Sequence, residues 1–116
     1  MKTEKIFIHP LKREIVFYIG KNKNENFEVI DMGSSNDLWF HAKDEPSCHV
    51  ISVIPHDICK EDLPYIITVG ALLCKNNTNK LKNLSNIEII YTQVKNILKT
   101  ETPGRVLTQN TKKVVL

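Results

Sequence analysis

Leu63, Ile66, Ile67, Gly70, Ala71 and Cys74 recur at intervals of three and four and so form one continuous stripe along a helix. The small residues Gly70 and Ala71 at its middle let such a helix sit close to a sheet. Asp62 is placed to cap its start, and Pro64 is tolerated in a first turn. The main helix is therefore expected over about 60–75. What surrounds it reads as strand. Arg13–Gly20 (REIVFYIG) is apolar, β-branched and aromatic, and Gly20 ends it. DLWFHAK is a strand followed by a DEP turn, and Cys48–Ile54 is a near-continuous apolar run expected to be buried on both faces. IEIIYTQVKNI reads as one long strand, RVLTQNTKKVVL as a terminal hairpin turning at Gln109–Thr111, and EKIFIHP as a short strand or ordered arm. A second, short helix is expected over about 25–33, from Phe27, Ile30 and Met32 with Gly33 as its stop. NNTNKLKNLSN is polar and is expected to be the most mobile connection. The order of pieces predicts an α+β fold: a mostly antiparallel sheet with one main helix on one face.

A chain of 116 residues, 41% hydrophobic and 25% charged, suits one core and one domain over 1–116. No apolar run reaches the roughly 20 residues of a membrane helix, and the first residues lack a signal-peptide stretch, so a cytoplasmic, membrane-free protein is expected. Cys48, Cys59 and Cys74 match neither a disulfide framework nor a zinc spacing and are expected to be reduced, buried thiols. The net charge is only +3, but it is uneven: +2 over 1–30, −5 over 31–62 and +6 over 63–116. Such asymmetry suits a basic face for a polyanion, or lysines that merely solvate a surface.

The chemistry is concentrated in NDLWFHAKDEPSCHV, Asn36 to Val50. His41, Asp44, Cys48 and His49 are metal-ligand types, yet only the two histidines can converge, across a hairpin, with no third ligand in a defined position. Cys48 and His49 are neighbours on a strand and point to opposite faces, so they cannot form a nucleophile–base pair. Trp39, His41 and Lys43 alternate and share a face. Trp stacks on bases, His stacks or hydrogen-bonds, and Lys meets phosphate. Lys21, Asn22 and Asn26 lie in an upstream segment that can approach this face, their amides suiting base edges or sugar hydroxyls. The alternative is structural: Trp39 in the core, Asp44 in a turn before Pro46, and His49 a hydrogen-bonded buried histidine.

The order of these motifs resembles the NFACT-R domain, the RNA-binding module of the NFACT ribosome-quality-control proteins, a family with stand-alone members. The resemblance runs from about Arg13 to the C terminus, roughly nine-tenths of the chain. Its most specific part is Asp37-Leu38-Trp39, His41, Lys43-Asp44, Pro46 and His49-Val50. Gly20-Lys21-Asn22 with Asn26, Tyr91-Thr92, Val94-Lys95 and Pro103-Gly104 supply the flanking elements. Three departures stand out. Lys21 replaces the family's arginine, Ser47-Cys48 replaces its Gly-Ser, and Thr102 replaces the lysine before Pro-Gly. The resemblance implies a non-catalytic domain without cofactor or resident metal that binds tRNA or ribosomal RNA in translation or ribosome quality control, with DNA as a second polyanion to test. It implies an RNA-binding set of Lys21, Asn22, Asn26, Trp39, His41, Lys43, Asp44, His49, Lys95 and Arg105. Two alternatives belong to other classes. One is an adaptor that docks on ribosome-associated proteins through the acidic segment and an exposed Trp39. The other is a metal-dependent hydrolase at His41, Asp44 and His49.

Overall fold

A computed structural model describes all residues, Met1–Leu116. Strands β1 (Lys2–Ile8), β2 (Arg13–Gly20), β3 (Leu38–Ala42), β4 (His49–Ser52), β5 (Glu88–Gln93) and β8 (Lys112–Val115) form one sheet in the order β1-β2-β4-β3-β5-β8. Every pairing in it is antiparallel. β6 (Ile97–Lys99) and β7 (Val106–Thr108) make a separate two-stranded ribbon. The helices are α1 (Lys23–Met32) and α2 (Leu63–Asn76). The expected α+β class holds, with the main helix close to its anticipated bounds.

Strand alternation divides the interior in two. Phe17 and Ile19, Phe40, Val50 and Ile89 point to one side and pack under Ile66, Ala71 and Cys74 of α2. Tyr18, Trp39, Ile51 and Ile90 point to the other side, where Val29 and Ile30 of α1 and Ile97 and Val106 of the ribbon cover them. The sheet is thus clad on both faces, by α2 on one and by α1 and the ribbon on the other, as the apolar run Cys48–Ile54 requires. This is why β4 is buried along its whole length.

Gly70 sets how closely α2 approaches. A Cβ there would stand 2.3 Å from Cζ of Phe40, a ring with no exposure. Gly70→Ala is expected to destabilise the protein by about 1–3 kcal/mol through overpacking. That outweighs the roughly 1 kcal/mol by which alanine favours a helix. Urea unfolding of the variant checks the sign.

Several expectations are corrected. IEIIYTQVKNI is not one strand. At Val94–Asn96 the chain makes a 3₁₀ turn, because the amides of Val94 and Lys95 donate to the carbonyls of Asp37 and Ser35 instead of continuing the ladder. The terminal hairpin is absent: β7 pairs with β6 and β8 with β5, and Asn110, in the left-handed region, redirects the chain between them. Gly33 ends α1 in an extended conformation (φ −81°); its lack of a side chain makes room for Val94 and Ile51 instead. Met32 is exposed, and Asp62 makes no side-chain cap. Cys59 is exposed while Cys48 and Cys74 are buried. The polar connection after α2 is anchored by buried Leu81 and by Thr78, whose hydroxyl donates to Cys74 O and accepts from Cys48 N.

Candidate nucleic-acid interface

Three segments remote in sequence meet at the end of β3. The first is the β2–α1 junction. A Cβ on Gly20 would lie 2.7 Å from Asn26 Oδ1 and 2.8 Å from Asn26 N, so only glycine lets the first turn of α1 close on the strand end. Asn22 caps that helix, its Oδ1 accepting from Glu25 N. Asn26, one turn on, is buried and accepts from His49 N. The Gly-Lys-Asn…Asn pattern is thereby an architectural unit. Asn22 and Asn26 spend their side-chain oxygens on backbone amides, and Lys21 stands exposed beside them.

The second segment is the β3–β4 hairpin. Asp37, buried, accepts from Ser34 N and Ile54 N and so ties the start of β3 to the end of β4. Asp44 takes the left-handed turn position at φ +60°. Ser47 is not at positive φ; its Oγ accepts from Ala42 N and donates to Cys48 O. The serine in the family's glycine position therefore braces the turn without strain.

Trp39 is 1% exposed. Its role as a stacking platform or as an exposed docking residue is corrected: α1 and the ribbon close over it. Its indole Nε1 donates to His49 Nδ1 at 3.1 Å. His41 stacks parallel to it, at 5.6 Å between centroids and 3° between planes. His49 meets both rings edge-on, 4.8 Å from His41.

These bonds define the tautomers. His49 accepts at Nδ1, so the neutral ring carries its proton on Nε2. His41 Nδ1 lies 2.6 Å from the carbonyl of Ala42, which only accepts, so that nitrogen carries the proton and Nε2 is bare. Burial pushes the His49 ring down to about 3, with the neighbouring His41 adding to the effect. Burial also lowers His41, against the Ala42 carbonyl that favours its charged form. Both rings are neutral at physiological pH.

The third segment is the β6–β7 turn, Thr102–Arg105. Gly104, at φ +82°, takes a conformation that disfavours a side chain and packs on Lys23 at the start of α1. Between this turn, α1 and the hairpin lies a cleft of about 610 Å³. Asn26, His41, Asp44, His49 and Arg105 of the expected set line it, as does a sliver of Trp39. Lys23, Glu45, Ser47 and the Pro103–Gly104 step belong to it as well. Pro103–Gly104 and Ser47 were signalled in the sequence, through their motifs; the lysine at 23 has nothing local to mark it.

Lys43 does not line the cleft: its side chain leans toward Glu88 at 3.9 Å. Lys95 borders a different groove, with Leu63, Tyr91 and Lys112. No three His, Cys, Asp or Glu side chains come together as a metal-ligand group, and the Cys48 thiol donates to Cys74 O, away from His49.

The fold is that of a small α+β domain in which motif residues from three segments converge on one imidazole-lined cleft. The chain matches the family described as the NFACT protein RNA binding domain over residues 5–112, and it belongs to that family. The match takes in the second half of β1, from Lys5, which the motif resemblance did not reach. The chain is 36% identical over 84 residues to coiled-coil domain-containing protein 25 of Danio rerio, covering 72% of this chain and 41% of that protein. It is 32% identical over 104 residues to the Dictyostelium discoideum homolog, covering 87% of this chain and 50% of that one. It is 32% identical over 79 residues to the Rqc2 homolog RqcH of Streptococcus pneumoniae, covering 65% of this chain but 13% of that protein. The chain thus spans half or less of the length of these curated relatives. A solved structure, the C-terminal part of the fibronectin/fibrinogen-binding protein from Streptococcus suis, aligns over 100% of this chain and 45% of its own, with TM-score 0.79 and 26% identity.

Proposed function

We propose that residues 1–116 form one non-catalytic module that binds structured RNA, tRNA or ribosomal RNA, in translation or ribosome quality control in the cytoplasm. One observation carries this reading. Residues from three of the motif segments by which the chain resembles an RNA-binding family (Asn26; His41, Asp44, Pro46 and His49; Pro103 and Gly104) lie far apart in sequence, yet they line a single cleft with Lys23 and Arg105 among its walls. RqcH, a relative by sequence, is named as a homolog of Rqc2. The non-catalytic reading is in keeping with the bonds of the two candidate nucleophiles: the Ser47 hydroxyl donates to Cys48 O and the Cys48 thiol to Cys74 O, not to a histidine.

The test is filter binding of tRNA at two salt concentrations, with double-stranded DNA alongside. Affinity is expected to fall steeply with salt. Arg105→Ala is expected to weaken tRNA binding and reduce the log–log salt slope by about 1. Lys95→Ala, in the other groove, is expected to leave both unchanged. No tRNA binding at either salt concentration sinks the proposal, and equal affinity for the DNA duplex widens it to nucleic acid generally.

A second reading, docking on ribosome-associated proteins, is favoured by one feature. Leu98 and Leu107 face each other across the β6–β7 ribbon and stand 62% and 63% exposed. Leu107→Glu would abolish a protein contact there and spare tRNA binding.

A further inference from the structure

The cleft has a chemical character that phosphate binding does not use. Its walls carry both signs, Lys23 and Arg105 against Asp44 and Glu45. The same cleft is walled by two neutral imidazoles, His41 and His49. His41 Nε2 is a free acceptor and His49 Nε2–H a free donor, since each ring spends its other nitrogen, on Ala42 O and on Trp39 Nε1 respectively. Neither free nitrogen has a partner within the protein, and neither is sealed in: Ser52 Oγ is the one fully enclosed side-chain polar atom left unbonded. Both therefore open into the cleft. The rings stand 84° apart with centroids 4.8 Å from each other, held by Trp39 behind them and by Asn26 on the His49 amide.

A neutral acceptor and a neutral donor, side by side in a recess, match the edge of a heterocycle and not an anion. Each nucleobase presents such a donor–acceptor pair on its Watson–Crick edge. A phosphate against this wall would want cations, and the wall offers two neutral rings instead. The volume lies within the roughly 300–1,000 Å³ of small-molecule clefts. In a duplex that edge is already paired, so only an unstacked, unpaired nucleotide can deliver it.

We propose that the cleft takes one unpaired nucleobase of a bound RNA, its edge meeting the His41 acceptor and the His49 donor while Lys23 and Arg105 hold the flanking phosphates. This rests on the RNA-binding reading and adds what that reading does not specify, a preference for unpaired over paired RNA.

The test compares a stem–loop RNA with a blunt duplex of the same nucleotide count, at one salt concentration, using the 116-residue chain. The stem–loop is expected to bind roughly 5- to 100-fold more tightly. His41→Phe keeps a ring against Trp39 but removes the acceptor; it is expected to abolish that preference, bringing stem–loop affinity down to that of the duplex. His41→Gln, which can still accept, is expected to restore part of it. Single abasic substitutions along the loop are expected to weaken the parent protein at one position and leave the Phe variant unaffected. Circular dichroism of each variant separates loss of fold from loss of recognition. Equal binding of stem–loop and duplex overturns the base pocket and leaves RNA binding standing. A preference that survives His41→Phe also overturns it. Binding to neither RNA overturns both.

Discussion

Trp39→Ala is expected to destabilise the protein by about 3–5 kcal/mol, read from the shift in urea unfolding. The indole is 1% exposed and is packed among Val29 and Ile30 of α1, Ile51 of β4 and Ile97 of the ribbon. Truncation opens a cavity where α1, the sheet and the ribbon meet. It also strands His49 Nδ1, a buried acceptor whose donor is the indole N–H. Trp39→Phe separates the two effects. It retains most of the packing and loses the hydrogen bond, so about 1–3 kcal/mol is expected. A Trp39→Ala cost below about 1 kcal/mol would mean the indole is not the buried keystone described here. Both variants are expected to loosen the cleft, because His41 and His49 are oriented by that ring.

Stability is expected to fall as pH drops below 6.5, by about 1.4 kcal/mol per pH unit from His49 alone. The direction follows from proton counts. The unfolded chain protonates this histidine near 6.5, whereas the folded ring resists until about 3. Between those values the unfolded state binds more protons, so acid favours unfolding. Above pH 6.5 the contribution is complete and flat. His41, also lowered by burial, adds in the same direction. Protonation at His49 Nδ1 would in addition remove the acceptor of the Trp39 indole. Unfolding midpoints measured at pH 7 and pH 5 check the slope. His49→Gln, which does not titrate, is expected to flatten it even though the variant is less stable throughout. A midpoint that does not move between those pH values would mean that folding does not lower the proton affinity of His49.

Much of the architecture was legible locally. The stripe from Leu63 to Cys74 gave α2 and its buried side, and the glycine at its centre does touch the sheet, at Phe40. Alternation along β3 placed Trp39 with His41 and against Leu38 and Phe40, as the two clusters show. What alternation could not say is which side of β3 met water. Neither does: the cover on the Trp39 side comes from α1 upstream and from the ribbon far downstream. The candidate site was legible in the same uneven way. Asn26, His41, Asp44, His49 and Arg105 do converge on the cleft. Lys95 lies elsewhere, because the turn at Val94–Asn96 that carries it is pulled toward Ser35 and Asp37.

Periodicity, turn residues and motif order are properties of neighbouring positions, and they determined the helices, most of the strands, the faces of β3 and the family. Contacts between positions dozens of residues apart decided the rest. They buried Trp39, broke the strand after Gln93, sent β7 and β8 to different sheets and brought Arg105 to the cleft that holds His41. They also chose the proton positions on the two histidines, since a tautomer depends on the partner the other nitrogen finds, and here those partners are the Ala42 carbonyl and an indole on the adjacent strand.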